Sequence, residues 1–270
     1  MRSDREFEII KIFEKQIRLN LEKEAITILI DELLKYTDED LKKFSTIATY
    51  TIPDSVCICK EYNDALQINL PEPYITKMAL DEVILSRRSI RNYKKTSISL
   101  KALSTLLFYS YGVREYSPAY NFDNFPFRTA PSTGALQGVE LYIIANNIQG
   151  IKEGLYHFNP LKRCIELLYE GVFKGKMKEL CPGQEFVAEA SIIIALTIVL
   201  SRGLWKYHTR YYKYAFVDVG CVAQNIHLVT CALELGSCLI AGFDENDLSR
   251  LLQLNKEEEI PALLISVGAK

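Results

Sequence analysis

Between Ser86 and Arg91 the sequence reads SRRSIR, which puts Arg87, Arg88 and Arg91 within five residues with Ser89 among them. Guanidiniums this close repel, and an anion is what most readily holds them together; bidentate arginine suits phosphate. The plainer alternative is a solvated turn with surface arginines. The run is neither a Walker loop nor a dinucleotide fingerprint, because no glycine-rich segment follows a strand here. A second candidate is PSTGAL, Pro131, Ser132, Thr133, Gly134, Ala135 and Leu136. Proline fixes one residue, Ser132 and Thr133 can cap, and Gly134 and Ala135 leave room for close approach. This describes a helix N-terminus or nest facing an anion or a flat ring, or else an ordinary capped turn. The third stretch, Leu204 to Tyr214, holds the only tryptophan, four of the sixteen tyrosines and three cations. Within it Lys206 and Tyr207 can exchange a proton if burial lowers the lysine pKa. Cation–aromatic stacking is the structural alternative.

Other chemistries have little support. His227 and Cys231 share a helix face at i, i+4, but a packed core histidine explains that better than a two-ligand metal site. No serine lies in a nucleophile elbow, and no carboxylates pair at a convincing spacing. Seven cysteines, none in a Cys-x-x-Cys spacing, read as buried thiols suited to a reducing compartment. A net charge of -2 gives no general reason to bind nucleic acid or anionic membrane. The start, MRSDREFEII, lacks the apolar run of a signal peptide, and SIIIALTIVL (191–200) is too short to span a bilayer. The expectation is a cytoplasmic protein without membrane insertion.

The elements that position these residues follow from periodicity. Phe7, Ile10, Phe13 and Ile17 recur at helical spacing, and Thr37 with Asp40 resembles a capping box. The pattern breaks between Ile47 and Glu72, so residues 1–74 read as an N-terminal appendage and 75–270 as the main domain. Residues 76–85 read as a helix ending in the basic run, and Ser99 caps a second that Gly112 stops. A long irregular stretch to Pro131 reads as a functional loop. Strands follow at 139–145, 154–158, 163–169 and 191–200, then a strong helix over 213–235 that Gly236 closes. Its stripe of Phe216, Val219, Val222 or Ala223, Ile226, Val229 and Leu233 looks longer than one small core needs. SCLIAGF, a helix capped by Asp244 and a last strand in PALLISVG complete an α+β class with no βαβ repeat.

Taken in order, RRSIRNY, FRTAPSTGALQGVELY, GLYHFNP, WKYHTRYYKYAFVDVGCVAQN, LGSCLIAGF and EEIPALLISVG resemble the SagB/ThcOx-type azoline dehydrogenases, which include the oxidase of microcin-type peptide biosynthesis. These belong to the FMN-binding nitroreductase superfamily, and the likeness covers about residues 75–269. It implies a nitroreductase-like fold with a central sheet flanked by helices, and a homodimer sharing each flavin. It implies that Arg87, Arg88, Ser89 and Arg91 hold the FMN phosphate and ribityl chain. Pro131, Ser132, Thr133, Gly134, Ala135 and Leu136 would line the flavin, often from the other protomer, and Gly236 and Ser237 would lie near the ring. Lys206 and Tyr207 would deprotonate the azoline while hydride leaves to the flavin, which O2 would reoxidise. A precursor peptide and a YcaO-type cyclodehydratase are the implied partners, with residues 1–74 as a docking surface. The sequence departs from the family at His208 (commonly Gly), Lys213 (commonly Arg), Cys221 (often His) and Gln137 (Tyr or His in many relatives). An NAD(P)H-dependent nitroreductase acting on small molecules and a non-catalytic scaffold subunit are the rival readings.

Overall fold

The computed structural model describes residues 23–25, which are helical, and 51–270. The helices expected over the first forty-odd residues, with the Thr37–Asp40 cap, otherwise lie outside the described residues. One compact unit begins at Tyr50 and runs to Lys270.

Seven strands form its central sheet: β1 (Leu66–Asn69), β4 (Val139–Ala145), β5 (Gly154–Asn159), β6 (Cys164–Glu170), β7 (Ile192–Val199), β8 (Leu235–Ile240) and β9 (Glu259–Ala269). Their order is β1-β6-β5-β4-β7-β9-β8, with every neighbour antiparallel. The apolar run expected as a central strand is β7, which pairs with β4 on one side and β9 on the other. Successive side chains on a strand face opposite ways, so an unbroken apolar run belongs where both faces are covered. Ile192, Ile194, Leu196 and Ile198 share one core with α2 (Leu100–Tyr111) and α5 (Tyr211–Ala232). Ile193 and Ala195 face the other, with α3 (Lys174–Leu180) and α6 (Glu245–Leu251). This is the expected α+β class, a sheet flanked by helices.

Local signals account for several element ends. Ser99 Oγ accepts from Ala102 N at 3.1 Å at the start of α2, and Asp244 accepts from Asp247 N at 2.8 Å at the start of α6. A short helix α1 (Leu80–Ser86) delivers the basic run, and α4 (Ser201–Tyr207) leads from β7 into α5. Four expectations are corrected. The stretch before Pro131 is a hairpin, β2 (Val113–Ala119) and β3 (Phe122–Arg128), joined by Tyr120 and Asn121 at φ 53° and 63°. Almost no residue of β2 is buried, so the alternation that marks a half-buried strand is missing, and Pro118 and Pro126 read as breakers. The segment 51–74, read as appendage, supplies β1 to the sheet. Glu234, at φ 59°, turns the chain after α5, whereas Gly236 already lies in β8. The stripe on α5 packs mainly inward: Val219, Val222, Ala223 and Ile226 are buried, while Phe216 and Val217 are exposed. Among the described residues Ser201–Ala232 is the helical stretch apolar enough to cross a membrane, and half of its most apolar window is buried inside the protein.

Candidate active site

The basic run begins where α1 ends. Arg87 is the residue after the helix, and its N–H closes the last turn on Val83 O at 3.0 Å. Its Nη1 lies 3.0 Å from His227 Nε2, and His227 Nδ1 lies 2.6 Å from Ser237 Oγ. A guanidinium only donates, so Nε2 must accept and the imidazole proton sits on Nδ1, donating to Ser237. Burial, followed by the Arg87 charge, holds His227 below the ordinary histidine range, which keeps it neutral. The backbone is fixed to β8 by Ile90 N donating to Ser237 O at 2.9 Å and by a parallel bridge between Ser89 and Ser237. Gly236 is bare because Ile90 packs over it: an added Cβ would stand 2.7 Å from the Ile90 Cγ2. Arg87, Ser89, Gly236 and Ser237 are thus neighbours. Arg88 donates to the carbonyls of Leu85 and Arg87, and Arg91 rests 5.9 Å over the Phe186 ring. Among the described residues, no carboxylate forms a salt bridge with any of the three arginines.

The PSTGAL segment is a single 3-10 turn, Thr133–Ala135, and not the N-terminus of a helix. Its donors are mostly committed internally. Thr133 N donates to both oxygens of Asp218 at 2.9 and 3.0 Å, and its hydroxyl donates to Oδ1 at 3.0 Å. Gln137 N donates to Ser132 Oγ at 3.0 Å. Gly134 and Ala135 both have left-handed backbone, at φ 58° and 56°. Asp218 projects from α5 and is 4% exposed; burial pushes its carboxyl up to about 6, against the pull of the Thr133 donors.

Three polar side chains meet above Gly134. A Cβ there would stand 2.5 Å from the Tyr207 hydroxyl, 3.0 Å from the Tyr120 hydroxyl and 3.3 Å from Lys206 Nζ. The turn therefore offers a bare Cα beneath the candidate catalytic pair. Lys206 and Tyr207 end α4 and are half-buried. Burial lowers the Lys206 pKa from its ordinary value, the condition for a lysine to serve as a base. Next in the chain, His208 adopts φ 50° with ψ −145°, a region that favours glycine.

Beneath this site lies a buried ionic network. Arg202, on α4, forms an ion pair with Glu140 and donates to Gln137 O and Cys57 O, each at 2.8 Å. It thereby anchors α4 to β4 and to the residue that follows PSTGAL. Glu140 Oε2 and Glu166 Oε2 each lie 2.9 Å from a ring nitrogen of the fully buried His157. Burial opposes a charge on that ring, but its hydrogen bonds to the two carboxylates hold its pKa above the usual value. Gln137 is itself buried and accepts from Arg128 Nε at 2.8 Å, so its side chain serves the core under the turn.

The model of the nitroreductase family matches residues 84–269. The chain belongs to this family. A nitroreductase-family protein of Methanocaldococcus jannaschii is 31% identical over 207 residues, 77% of this chain and 98% of the relative. The microcin B17-processing protein McbC of Escherichia coli is 24% identical over 146 residues, 52% of this chain and 54% of McbC. Among solved structures, an Anabaena variabilis nitroreductase-family protein matches with a TM-score of 0.64 at 24% identity, covering 80% of this chain. This chain spans only 44% of that longer protein. The E. coli microcin synthetase McbBCD complex with truncated pro-MccB17 bound matches at a TM-score of 0.57 and 20% identity, over 88% of this chain and 96% of that one.

For this nitroreductase-family chain, four residues of the site had no signal strong enough to single them out. Tyr120 is one of sixteen tyrosines and stands in what looked like a loop. Asp218 falls on a long helix where an acidic residue is ordinarily solvated. Arg202 resembles any surface arginine after a strand. His227 was expected to be a packed core histidine, and it is buried, but only the fold shows that it holds Arg87.

Proposed function

We propose that this nitroreductase-family oxidoreductase is an FMN-dependent dehydrogenase that oxidises thiazoline or oxazoline rings to thiazole or oxazole within a ribosomally made peptide. The observation that carries the reading is the convergence of Lys206 Nζ and the Tyr207 hydroxyl on the bare Cα of Gly134. The partial likeness to McbC supports the peptide substrate. FMN fits the residues present: three arginines without a carboxylate partner among the described residues suit a phosphate. Arg87, Arg88, Ser89 and Arg91 would hold the phosphate and ribityl end, Pro131 to Leu136 would line the ring, and Gly236 and Ser237 would lie near it. Bound FMN would supply the two-electron acceptor that amino-acid side chains lack. Oxidising the azoline removes a hydride and a proton, and a half-buried Lys206 of lowered pKa is suited to take the proton, with Tyr207 beside it.

A homodimer belongs to this reading. Asp218 and His227, which mark the two corners on α5, are nine residues apart, about 14 Å of helix rise. Two protomers sharing each flavin would let one supply its arginine corner and the other its Gly134 turn. The exposed Phe216 and Val217 on α5, and Leu80, Ile84 and Leu85 on α1, are the apolar surface for that contact. The precursor peptide and a YcaO-type cyclodehydratase are the proposed partners, the E. coli complex of like fold being one that binds a truncated pro-peptide.

The M. jannaschii relative favours a second reading, an NAD(P)H-dependent nitroreductase acting on small molecules. The two readings part at the base. Azoline oxidation needs a positioned proton acceptor worth about 10²–10⁴-fold, whereas nitro reduction draws protons largely from water. Lys206→Ala and Tyr207→Phe should keep flavin and fold yet lose oxidation of a heterocyclised peptide. Parent-rate oxidation by both variants removes the pair from catalysis. A parent enzyme inert on such peptides but active on nitroaromatics with NAD(P)H installs the second reading.

A further inference from the structure

Tyr120 sits at the tip of the β2–β3 hairpin, and its backbone is left-handed at φ 53°. Two-residue hairpin turns with positive φ at both positions favour Asn and Gly, and an aromatic residue there gives up backbone stability. Its side chain offsets that by its contacts. The ring lies 5.5 Å from Phe125 and 6.4 Å from Trp205, which fixes its plane. The hydroxyl donates to the Gly134 carbonyl and stands 2.7 Å from Lys206 Nζ, which also lies 4.7 Å over the ring.

A phenol has one proton. The Gly134 carbonyl can only accept, so that proton is committed to it, and toward Lys206 the Tyr120 oxygen can only accept. Lysine therefore donates whether it is charged or neutral. In the neutral amine this bond takes up an N–H and leaves the nitrogen lone pair turned away from the hairpin. A tyrosine that donated to the amine would instead occupy the lone pair and silence the base.

We propose that Tyr120 is a positioning residue of the Lys206 base: with its proton held by Gly134, it orients the amine by accepting one N–H and does not itself occupy the lone pair. The inference deepens the azoline reading and rests on Lys206 being the base there. It also gives the hairpin a function, since β2 and β3 form a separate two-stranded sheet whose tip reaches the site.

Tyr120→Phe in the full-length chain tests this, because it keeps the ring and removes the hydroxyl, which is both the acceptor for Lys206 and the donor to Gly134. The first readout needs no turnover. The pH dependence of Lys206 acylation by an amine-selective reagent, followed by mass spectrometry of the Lys206 peptide, reports its protonation. Losing the acceptor destabilises the ammonium, so the midpoint should move down by about half a unit or more. The second readout is oxidation of a heterocyclised peptide: kcat should fall about tenfold or more with KM nearly constant, and the acidic limb of the pH profile should move with the labelling midpoint. Unchanged far-UV circular dichroism and flavin content would show that the fold survives. An unmoved labelling midpoint in Tyr120→Phe overturns the inference, whatever the turnover. A shifted midpoint combined with full oxidation by Lys206→Ala would instead overturn the Lys206 base and leave the tyrosine–lysine coupling standing.

Discussion

Arg87 Nη1 lies 3.0 Å from His227 Nε2, and the other ring nitrogen of that histidine is engaged by Ser237. One guanidinium is thus aimed by a neutral imidazole that can accept from it. If the corner binds the FMN phosphate, Arg87→Ala removes a charge-assisted hydrogen bond worth about 1.5–3 kcal/mol, a loss of roughly 10- to 100-fold in flavin affinity. His227→Ala leaves the charge but frees its direction, so its loss should be smaller. Flavin fluorescence titration measures both. Equal affinity in the parent and Arg87→Ala would place the phosphate elsewhere.

Gly134→Ala should damage the site far more than the fold. The new Cβ would have to occupy space within 2.5 Å of the Tyr207 hydroxyl and 3.3 Å of Lys206 Nζ, at φ 58°. The strain should cost about 1 kcal/mol in urea denaturation, while displacement of the pair should reduce peptide oxidation by about tenfold or more. A variant as active as the parent would show that the pair does not act over this carbon.

Asp218 gives a pH signature. Its folded pKa is raised to about 6, chiefly by burial, from an ordinary value of 3.8. A raised acid stabilises the folded chain while protonated, below about pH 4, and that contribution is lost as pH climbs through 6. Between pH 4 and 7 the parent should lose roughly 2–3 kcal/mol relative to Asp218→Asn, whose side chain does not titrate. Denaturant midpoints across that range measure the difference, and parallel curves would mean that the carboxyl titrates as an ordinary one.

Phe216→Asp with Val217→Asp should yield a monomer by sedimentation at micromolar concentration. Both residues are exposed on α5, so the charges cost little in the isolated chain, whereas an apolar interface would have to desolvate them. If the flavin is shared, the monomer should also lose it. A double variant that remains a flavin-loaded dimer would move the interface off this helix.

What the sequence made legible was whatever a local rule governs. The caps at Ser99 and Asp244, the stop at Gly112 and the buried run of β7 each depend on residues adjacent in the chain. The arginine run and Lys206–Tyr207 stood out because their types are concentrated within a few positions. The hairpin stayed hidden because a strand with both faces near solvent has no alternation to read, and Tyr120 was hidden with it. Asp218, Arg202 and His227 gain their roles from partners distant in sequence: Thr133, Glu140 and Arg87. No spacing rule reports a partner 62 or 140 positions away.

The position of β9 bears on how the molecule is made. It is the last strand in sequence, yet it lies between β7 and β8. On the ribosome β7 therefore emerges with its β9-facing edge unpaired, and it must wait for the chain from Val199 to Glu259 to be synthesised. At ordinary elongation rates that interval is on the order of 3–12 s, during which one of the most apolar strands of the molecule presents open backbone to its surroundings. A nascent chain stalled inside α6 should then be a preferred client of chaperones.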